Sequence, residues 1–429
     1  MLNVAEETKN TLTGPFLRFI RKRKGLTQER VCEGICSVTY LSKIETGRVI
    51  PNEEIFVLLR ERLEIDPRME DYYDIKQIQK EIKNCHIAIN NRQKEKAINI
   101  FNELKNKEEF LLHDPQLFRS YQLLSYLFHL TVSKLDEAAE VKKELYYIRG
   151  QFNREEQAAF AYFNGIHQCL LCRYGEGLHY FHEAEHLLHE LQQKDRQLYY
   201  HLALTYSHIQ NTSMALYYAT MALKLYEESA NYLMSIDCRM ILGLNYARSQ
   251  NFSGAEKEYR NILELTISLG LNKHTANVYH NLGHLYKNMN VKDKAIENFL
   301  ESLAYRETSD TYFQEANLEL TDLYIQSGEY VLASSQLNQL SALKELPTKT
   351  QYEIQLKRLK LNTYMDRSST YHQTQYVDFL ENTYIPFLEK TKDTSDIHIQ
   401  YENLGKHYFY ARKYKSASQY FQLALRTIK

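Results

Sequence analysis

Much of this 429-residue chain repeats itself at intervals of about 40 residues. The clearest copy reads Tyr279-His-Asn-Leu-Gly-His-Leu-Tyr286 and continues to Ala295 and Phe299. Small residues in each copy allow two helices to approach closely, and the aromatic residues fill the gap between neighbouring copies. Because an isolated helix pair cannot bury its apolar face, the copies are expected to stack on one another. The chain is therefore predicted to be all-α.

This spacing of small and aromatic residues is that of a tetratricopeptide repeat, although each unit is slightly longer than usual. The same spacing recurs at Leu242-Gly243, Leu202-Ala203 and Leu404-Gly405, with weaker copies elsewhere. We interpret residues 77–429 as about nine helical pairs that form a right-handed superhelix with a concave inner surface. Residues 343–395 are its least regular part.

Ahead of the repeats, the sequence carries start and stop signals for four short helices. Thr27 and Ser37 can cap the second and third helices, and Gly34 supplies the tight turn between them. Pro51-Asn52 opens the fourth helix. A short helix, a glycine turn and another short helix form the unit that presents a recognition helix to the major groove of DNA.

The string from Leu26 to Gly47 strongly resembles the phage-repressor-like (XRE) helix-turn-helix family. This resemblance and the repeats together predict three segments. Residues 1–66 form a DNA-binding domain, residues 67–76 a linker helix, and residues 77–429 a peptide-sensing repeat domain. A small helical bundle without a nucleic-acid role is the alternative for the first of these.

The XRE resemblance also implies roles for individual residues. Gln28 begins the scaffold helix and would hydrogen-bond the DNA backbone or a base. The residues that would face the groove are Ser37, Thr39, Tyr40 and Lys43. Arg18 and the basic run from Arg21 to Lys24 would lie near phosphate, where they position the protein without specifying sequence.

The first helix of each repeat is expected to line the concave groove with polar side chains. In the unit beginning at Ala276, the residues at the groove positions are Asn277, His280, Asn281, His284, Lys287 and Asn288. Asparagine can donate to and accept from one peptide unit at once, and lysine can bind a carboxylate. Neighbouring units extend this predicted peptide site with Tyr200, His201, His208, Asn245, Arg248 and the acids Glu319 and Asp322. The alternative is an ordinary solvated helix face.

An XRE domain followed by degenerate tetratricopeptide repeats resembles the Gram-positive peptide-pheromone receptors of the PlcR, NprR and PrgX type, the RRNPP family. The segment from Gly34 to Lys43 is especially similar to PlcR and NprR, and the length is closer to NprR. The resemblance implies quorum sensing by a homodimer, with an imported signalling peptide in the groove that controls binding to a double-stranded DNA operator. The alternative is a scaffold that inhibits a protein partner such as a response regulator, as in the related Rap proteins, with DNA binding secondary.

The remaining features indicate neither catalysis nor a membrane location. The formal net charge is −1, and no apolar run approaches the roughly 18 residues of a membrane span. A cytoplasmic protein with reduced thiols, Cys169 and Cys172 among them, is therefore expected. His182-Glu-Ala-Glu-His186 matches a zinc-protease pattern, but it falls on the packing helix of a repeat. No enzyme activity, cofactor or metal is predicted.

Overall fold

The computed structural model describes residues 14–65, 75–111, 114–366, 369–391 and 393–427. All regular structure in these ranges is helical. They form two compact units, of which the first ends at Asn245 and the second begins at Tyr246. No helix in the described ranges is long and apolar enough to cross a membrane. The predicted linker at 67–76 lies outside the described residues except for its last two positions, which begin a helix.

The amino-terminal part of the first unit contains the four short helices that the sequence predicts. They are α1 (Gly14–Arg23), α2 (Gln28–Cys32), α3 (Val38–Glu45) and α4 (Glu53–Arg62). The side chains of Thr27, Ser37 and Asn52 cap α2, α3 and α4, because each accepts a hydrogen bond from the backbone N–H three residues later. Gly34 has a φ of +74°, the left-handed conformation that favours glycine in the turn before α3.

The rest of the first unit consists of helices that succeed one another through short turns. They are α5 (Ile75–Asn90), α6 (Lys94–Lys105), the single turn α7 (Glu108–Leu111), α8 (Pro115–Thr131), α9 (Leu135–Ile148), α10 (Arg154–Leu170), α11 (Tyr174–Glu190), α12 (Arg196–His208) and α13 (Thr212–Glu228). Within this unit α5 packs on α6, α8 on α9, α10 on α11, and α12 on α13. The next helix, α14 (Tyr232–Arg248), contains the boundary between the two units.

The second unit continues the same succession of helices. They are α15 (Phe252–Ser268), α16 (Asn272–Asn288), α17 (Lys292–Ala304), α18 (Thr311–Ser327), α19 (Tyr330–Ser341), α20 (Thr348–Met365), α21 (Thr370–Phe379), α22 (Ile385–Thr391), α23 (Thr394–Tyr410) and α24 (Tyr414–Thr427). A π-helical turn, Leu380–Tyr384, joins α21 to α22 and places both of its end residues in the local core.

Contacts between a glycine and an aromatic ring explain why the two helices of a repeat pack so closely. Gly283 on α16 lies against the ring of Phe299 on α17, and a Cβ at this glycine would come within 2.7 Å of that ring. Gly165 and Gly405 make the same contact with Phe181 and Phe421. Each of these pairs joins the two helices of one repeat, whereas the sequence prediction placed the aromatic residues in the gap between neighbouring copies. The all-α prediction, a helix-turn-helix followed by tetratricopeptide-like helical pairs, is confirmed.

The turns between helices repeat with the same period. Gln210, Gln250 and Asn290 follow the ends of α12, α14 and α16, and their φ values are 60°, 61° and 58°. A left-handed residue just beyond a helix allows the next backbone N–H groups to bond the last carbonyls and ends the helix sharply. Gln192 and Ala230 adopt the same conformation after α11 and α13, so such a turn ends nearly every helix here, about every 20 residues or twice in each repeat.

Candidate functional site

Helix α3 offers a polar face to solvent. Its residues Leu41 and Ile44 are buried at 1% and 0% exposure, whereas Thr39 and Lys43 on the other side of the helix are exposed. Tyr40 is half-buried, and its backbone N–H donates to the exposed N-cap of α3. The residues that the sequence assigns to DNA reading on α3 are thus presented together on an accessible surface.

Arg21 has a different environment, which corrects the expectation that it contacts phosphate. Its guanidinium is 8% exposed, and two of its nitrogens donate to the carboxylate of Glu45 at 2.6 and 2.9 Å. A third nitrogen donates to the carbonyl oxygen of Leu26 at 2.8 Å. The side-chain amide of Gln28 donates to the same Glu45 carboxylate at 2.7 Å. This buried, bidentate ion pair holds α1, α2 and α3 together.

One face of α1 contacts the first repeats rather than open solvent. Phe16 and Phe19 pack on Phe118 of α8, with ring centroids 5.7 and 5.2 Å apart. Arg23 is paired with Glu108 of α7 and lies 3.6 Å from the carboxylate of Glu144 on α9. We call this contact the α1 docking surface. It attaches the helix-turn-helix to the repeats while α3 stays exposed.

The other basic residues of α1 divide between this surface and solvent. The ammonium of Lys22 lies 4.7 Å from the ring centroid of Tyr147 on α9, a cation-π distance. Lys24, just beyond α1, pairs with Glu64 at 2.6 Å. The expectation that the whole run from Arg21 to Lys24 lies near phosphate is therefore wrong. Arg18 is exposed and remains a predicted phosphate contact.

The second unit contains a groove of about 680 Å³ that lies between α16, α18, α20 and α23. Of the residues predicted to bind peptide, Lys287, Glu319 and Asp322 line it. The sequence prediction missed most of the wall, because α20 lies within residues 343–395, where the repeat pattern is least regular. The missed lining residues include Glu315, Lys349, Glu353, Lys357, Lys360 and Tyr376.

Opposite charges alternate along this groove. Lys287 is paired with Glu319, and Asp322 is paired with Lys357 and lies 3.2 Å from the ammonium of Lys360. Burial alone would raise the pKa of Asp322, but the two lysines outweigh it and lower that pKa to about 2. The groove therefore holds fixed charges of both signs at neutral pH.

The predicted row of polar residues on α16 is only partly accessible to solvent. Asn277 accepts a hydrogen bond from Arg306 at 2.8 Å, Asn281 is half-buried and Asn288 is exposed. His280 is 4% exposed, and its Nε2 lies 3.1 Å from the Nε2 of His284. Both nitrogens face the carboxylate of Glu315 on α18. Their hydrogen bonds hold the pKa of that carboxyl well below its usual range.

In the first unit, the residues predicted to contact peptide instead contact other side chains of the protein. The hydroxyl of Tyr200 accepts a hydrogen bond from Arg92, in the turn between α5 and α6, at 3.3 Å. His201 lies 2.9 Å from the hydroxyl of Tyr162, and burial lowers its pKa. His208 is exposed and stacks on Tyr174.

Asn245 departs furthest from the prediction. It is 0% exposed, and its side-chain amide donates to Ser207 at 2.9 Å and to the carbonyl of Ile241 at 2.8 Å. A ligand in a groove cannot reach this buried amide, so Asn245 is corrected to a core residue. Arg248, one turn further along α14, is exposed and stays a predicted contact.

The histidines and cysteines that could suggest catalysis have ordinary surroundings. His182 Nε2 lies 2.7 Å from the hydroxyl of Tyr206, and the side chain of His186 is 75% exposed beside Glu190. Cys169 is half-buried with its pKa raised by burial, whereas Cys172 is exposed rather than buried.

Comparison with known proteins finds a helix-turn-helix family and several similar regulatory proteins. The Helix-turn-helix family matches residues 17–69. The transcriptional activator NprA of Geobacillus stearothermophilus is 23% identical over 93% of this chain and 99% of its own length. Two Bacillus subtilis proteins are also similar. Regulatory protein RapD is 23% identical over 69% of this chain and 83% of its own length. Response regulator aspartate phosphatase I is 22% identical over 63% of this chain and 74% of its own length.

Two solved structures share the fold. The apo form of the quorum sensor NprR from B. thuringiensis has a TM-score of 0.71 at 19% identity and covers 82% of this chain and 99% of its own. NprR in complex with its cognate peptide NprX has a TM-score of 0.57, also at 19% identity, over 83% and 99%. At this identity the likeness establishes the fold. Together with the matched helix-turn-helix and NprA, it confirms the resemblance to the NprR type.

Proposed function

Since this chain resembles the NprR type of RRNPP regulator in both its helix-turn-helix and its repeats, we propose that it is a transcriptional regulator controlled by a signalling peptide. The proposed division is DNA binding by residues 1–66, a linker at 67–76, and peptide sensing by residues 77–429. The observation that carries the proposal is a helix-turn-helix that docks on the repeats through α1 and leaves α3 exposed.

On the DNA side, α3 carries the chemistry for reading base edges. Lys43 can donate to guanine, and the hydroxyl of Thr39 can donate or accept at either kind of base pair. Arg18 supplies a phosphate contact that positions the helix without specifying sequence. Gln28, Ser37 and Tyr40 complete the proposed contact surface.

On the peptide side, the groove of the second unit is the proposed binding site. A peptide backbone needs donors and acceptors along its length, and its termini need charges of opposite sign. The lysines and carboxylates of the groove wall supply both signs, and Tyr376 adds an aromatic surface. Asn281, Asn288 and Arg248 remain proposed contacts beside it.

Control of DNA binding is proposed to pass through the α1 docking surface. A ligand that changes the positions of the repeats changes what α1 packs against, and so the placement of α3. The proposed active species is a cytoplasmic homodimer, because two recognition helices at a fixed separation read two operator half-sites about one helical turn apart.

The direct test is selection of genomic DNA fragments by the full-length protein. The wild type should enrich a defined fragment, and Lys43→Ala should lose that preference. Lys257→Ala removes an exposed lysine of α15 and is the matched control, so it should select as the wild type does. Enrichment of no fragment by the wild type, or of the same fragment by Lys43→Ala, would contradict the proposed role of α3.

A second candidate, a scaffold for a response regulator, is favoured by the match to response regulator aspartate phosphatase I. It makes a different prediction for the same variant. If the protein acts by binding a partner, Lys43→Ala should leave the cellular phenotype unchanged. If it acts on DNA, Lys43→Ala should reproduce the phenotype of a gene deletion.

A further inference from the structure

Two histidines and one glutamate converge where α16 meets α18. His280 and His284 are one turn apart on α16, so their rings project from the same face of that helix. The rings of both pack edge-on against Phe299 of α17, with centroids 5.6 and 5.1 Å from it. Because Phe299 is 0% exposed, this packing fixes the direction of both imidazoles. Glu315 of α18 approaches them from the next repeat.

The three ligand atoms are equidistant within a few tenths of an ångström. The two Nε2 atoms are 3.1 Å apart, and an oxygen of Glu315 lies 3.6 Å from that of His280 and 3.5 Å from that of His284. The circle through these atoms has a radius of about 2.0 Å, close to zinc-nitrogen and zinc-oxygen bond lengths of about 2.0–2.2 Å. An ion slightly above their plane would bind all three and keep a fourth tetrahedral position open.

When both imidazoles are neutral, hydrogen bonds cannot make all three contacts at once. A neutral imidazole carries one N–H, and a carboxylate accepts only. If both Nε2–H groups donate to Glu315, two N–H groups face each other across the 3.1 Å between the Nε2 atoms. If His284 donates to His280 through Nε2, the Nε2 of His280 has no proton left for Glu315. The reverse direction leaves the same shortage at His284. A positive ion at the centre satisfies all three lone pairs at once.

We propose that His280, His284 and Glu315 form a site for a divalent transition metal, with zinc as the ion that the ligand set and distances fit best. Two imidazoles and one carboxylate are a donor set for zinc with one open position. The open position points to water or a ligand in the groove, since Glu315 lines it and its side chain is 49% exposed. The ion would join two successive repeats. This inference does not depend on DNA or peptide binding.

Zinc titration of the metal-stripped, full-length protein by calorimetry tests the site. The wild type should bind one zinc ion. The affinity of His284→Gln and of Glu315→Gln for zinc should be at least about tenfold lower. His186→Gln is the matched control, because His186 also lies one turn from a second histidine but its side chain is 75% exposed. It should bind this zinc ion as the wild type does.

Cobalt supplies a second readout that does not depend on affinity. Cobalt(II) in the wild type should show the visible absorption of a four-coordinate ion, and that absorption should be absent in Glu315→Gln. Circular dichroism without metal should show that all three variants keep the helical content of the wild type. No zinc binding by the wild type, or equal binding by wild type and His284→Gln, would overturn the proposal whatever the outcome of the DNA selection.

Discussion

Helices α1 and α3 lie in the same small domain and both carry basic side chains, yet they face different surroundings. Arg21 is buried against Glu45, and Arg23 is paired with two acids of the repeats. Lys43 of α3 is exposed. The surroundings of each basic residue, and not its charge alone, therefore decide whether it is accessible to DNA.

The difference suggests a division of labour within the helix-turn-helix. One face of α1 binds the repeats, Arg21 holds the domain together, and α3 is available to DNA. Each of these roles predicts a different response to loss of one positive charge.

Arg21→Ala should have the largest effect, and it should act on stability. Removing one partner of a buried ion pair leaves Glu45 uncompensated, which typically costs about 3–5 kcal/mol. Urea unfolding followed by circular dichroism should show an earlier transition for the amino-terminal helices. Arg18→Ala, an exposed arginine on the same helix, should change the free energy of unfolding by less than about 0.5 kcal/mol. Wild-type stability of Arg21→Ala, together with weaker binding to every DNA sequence, would mean that Arg21 contacts phosphate after all.

Lys43→Ala should act on DNA preference and leave stability unchanged. Loss of a good base contact reduces discrimination against a wrong base pair by about 1–3 kcal/mol. Fluorescence anisotropy with the selected fragment and single-base variants of it would measure this. Equal loss of affinity for all fragments would instead assign Lys43 to phosphate.

Arg23→Ala should give the smallest effect, because its ion pairs are partly exposed and such pairs contribute about 1 kcal/mol or less. We expect faster amide hydrogen exchange in α1 and α9, with unchanged affinity for the selected fragment. A decrease in the slope of affinity against salt concentration by about one would show that Arg23 binds phosphate.

Local structure was predictable from the sequence where the signal was local. The caps Thr27 and Ser37 depend on residues three positions away, and the structure has them as expected. The repeat spacing also predicted helical pairs, although Phe299 packs within its own repeat on Gly283 and not between copies. The partners of charged groups were not predictable, because Glu45 is 24 residues from Arg21 and Glu108 is 85 residues from Arg23.

The groove shows the same limit. The register of the repeat placed His280 and His284 on one face of α16, and the structure has them on one face as well. It could not reveal Glu315, which reaches them from the next repeat, or α20, where the repeat spacing is lost. Asn245 was placed in the groove by the sequence prediction, but the spacing that aligns Leu242-Gly243 with Leu282-Gly283 matches Asn245 to Leu285, and both positions are buried.

The central claim is that a peptide bound by the repeats controls DNA binding by α3. It is tested most directly by the affinity of the full-length protein for its selected fragment, measured with and without a synthetic peptide from a short secreted reading frame beside the gene. We predict a change of at least tenfold in the wild type, and a smaller change in Lys357→Ala than in the exposed control Lys390→Ala. A peptide that binds the protein but leaves the DNA affinity unchanged would contradict the account.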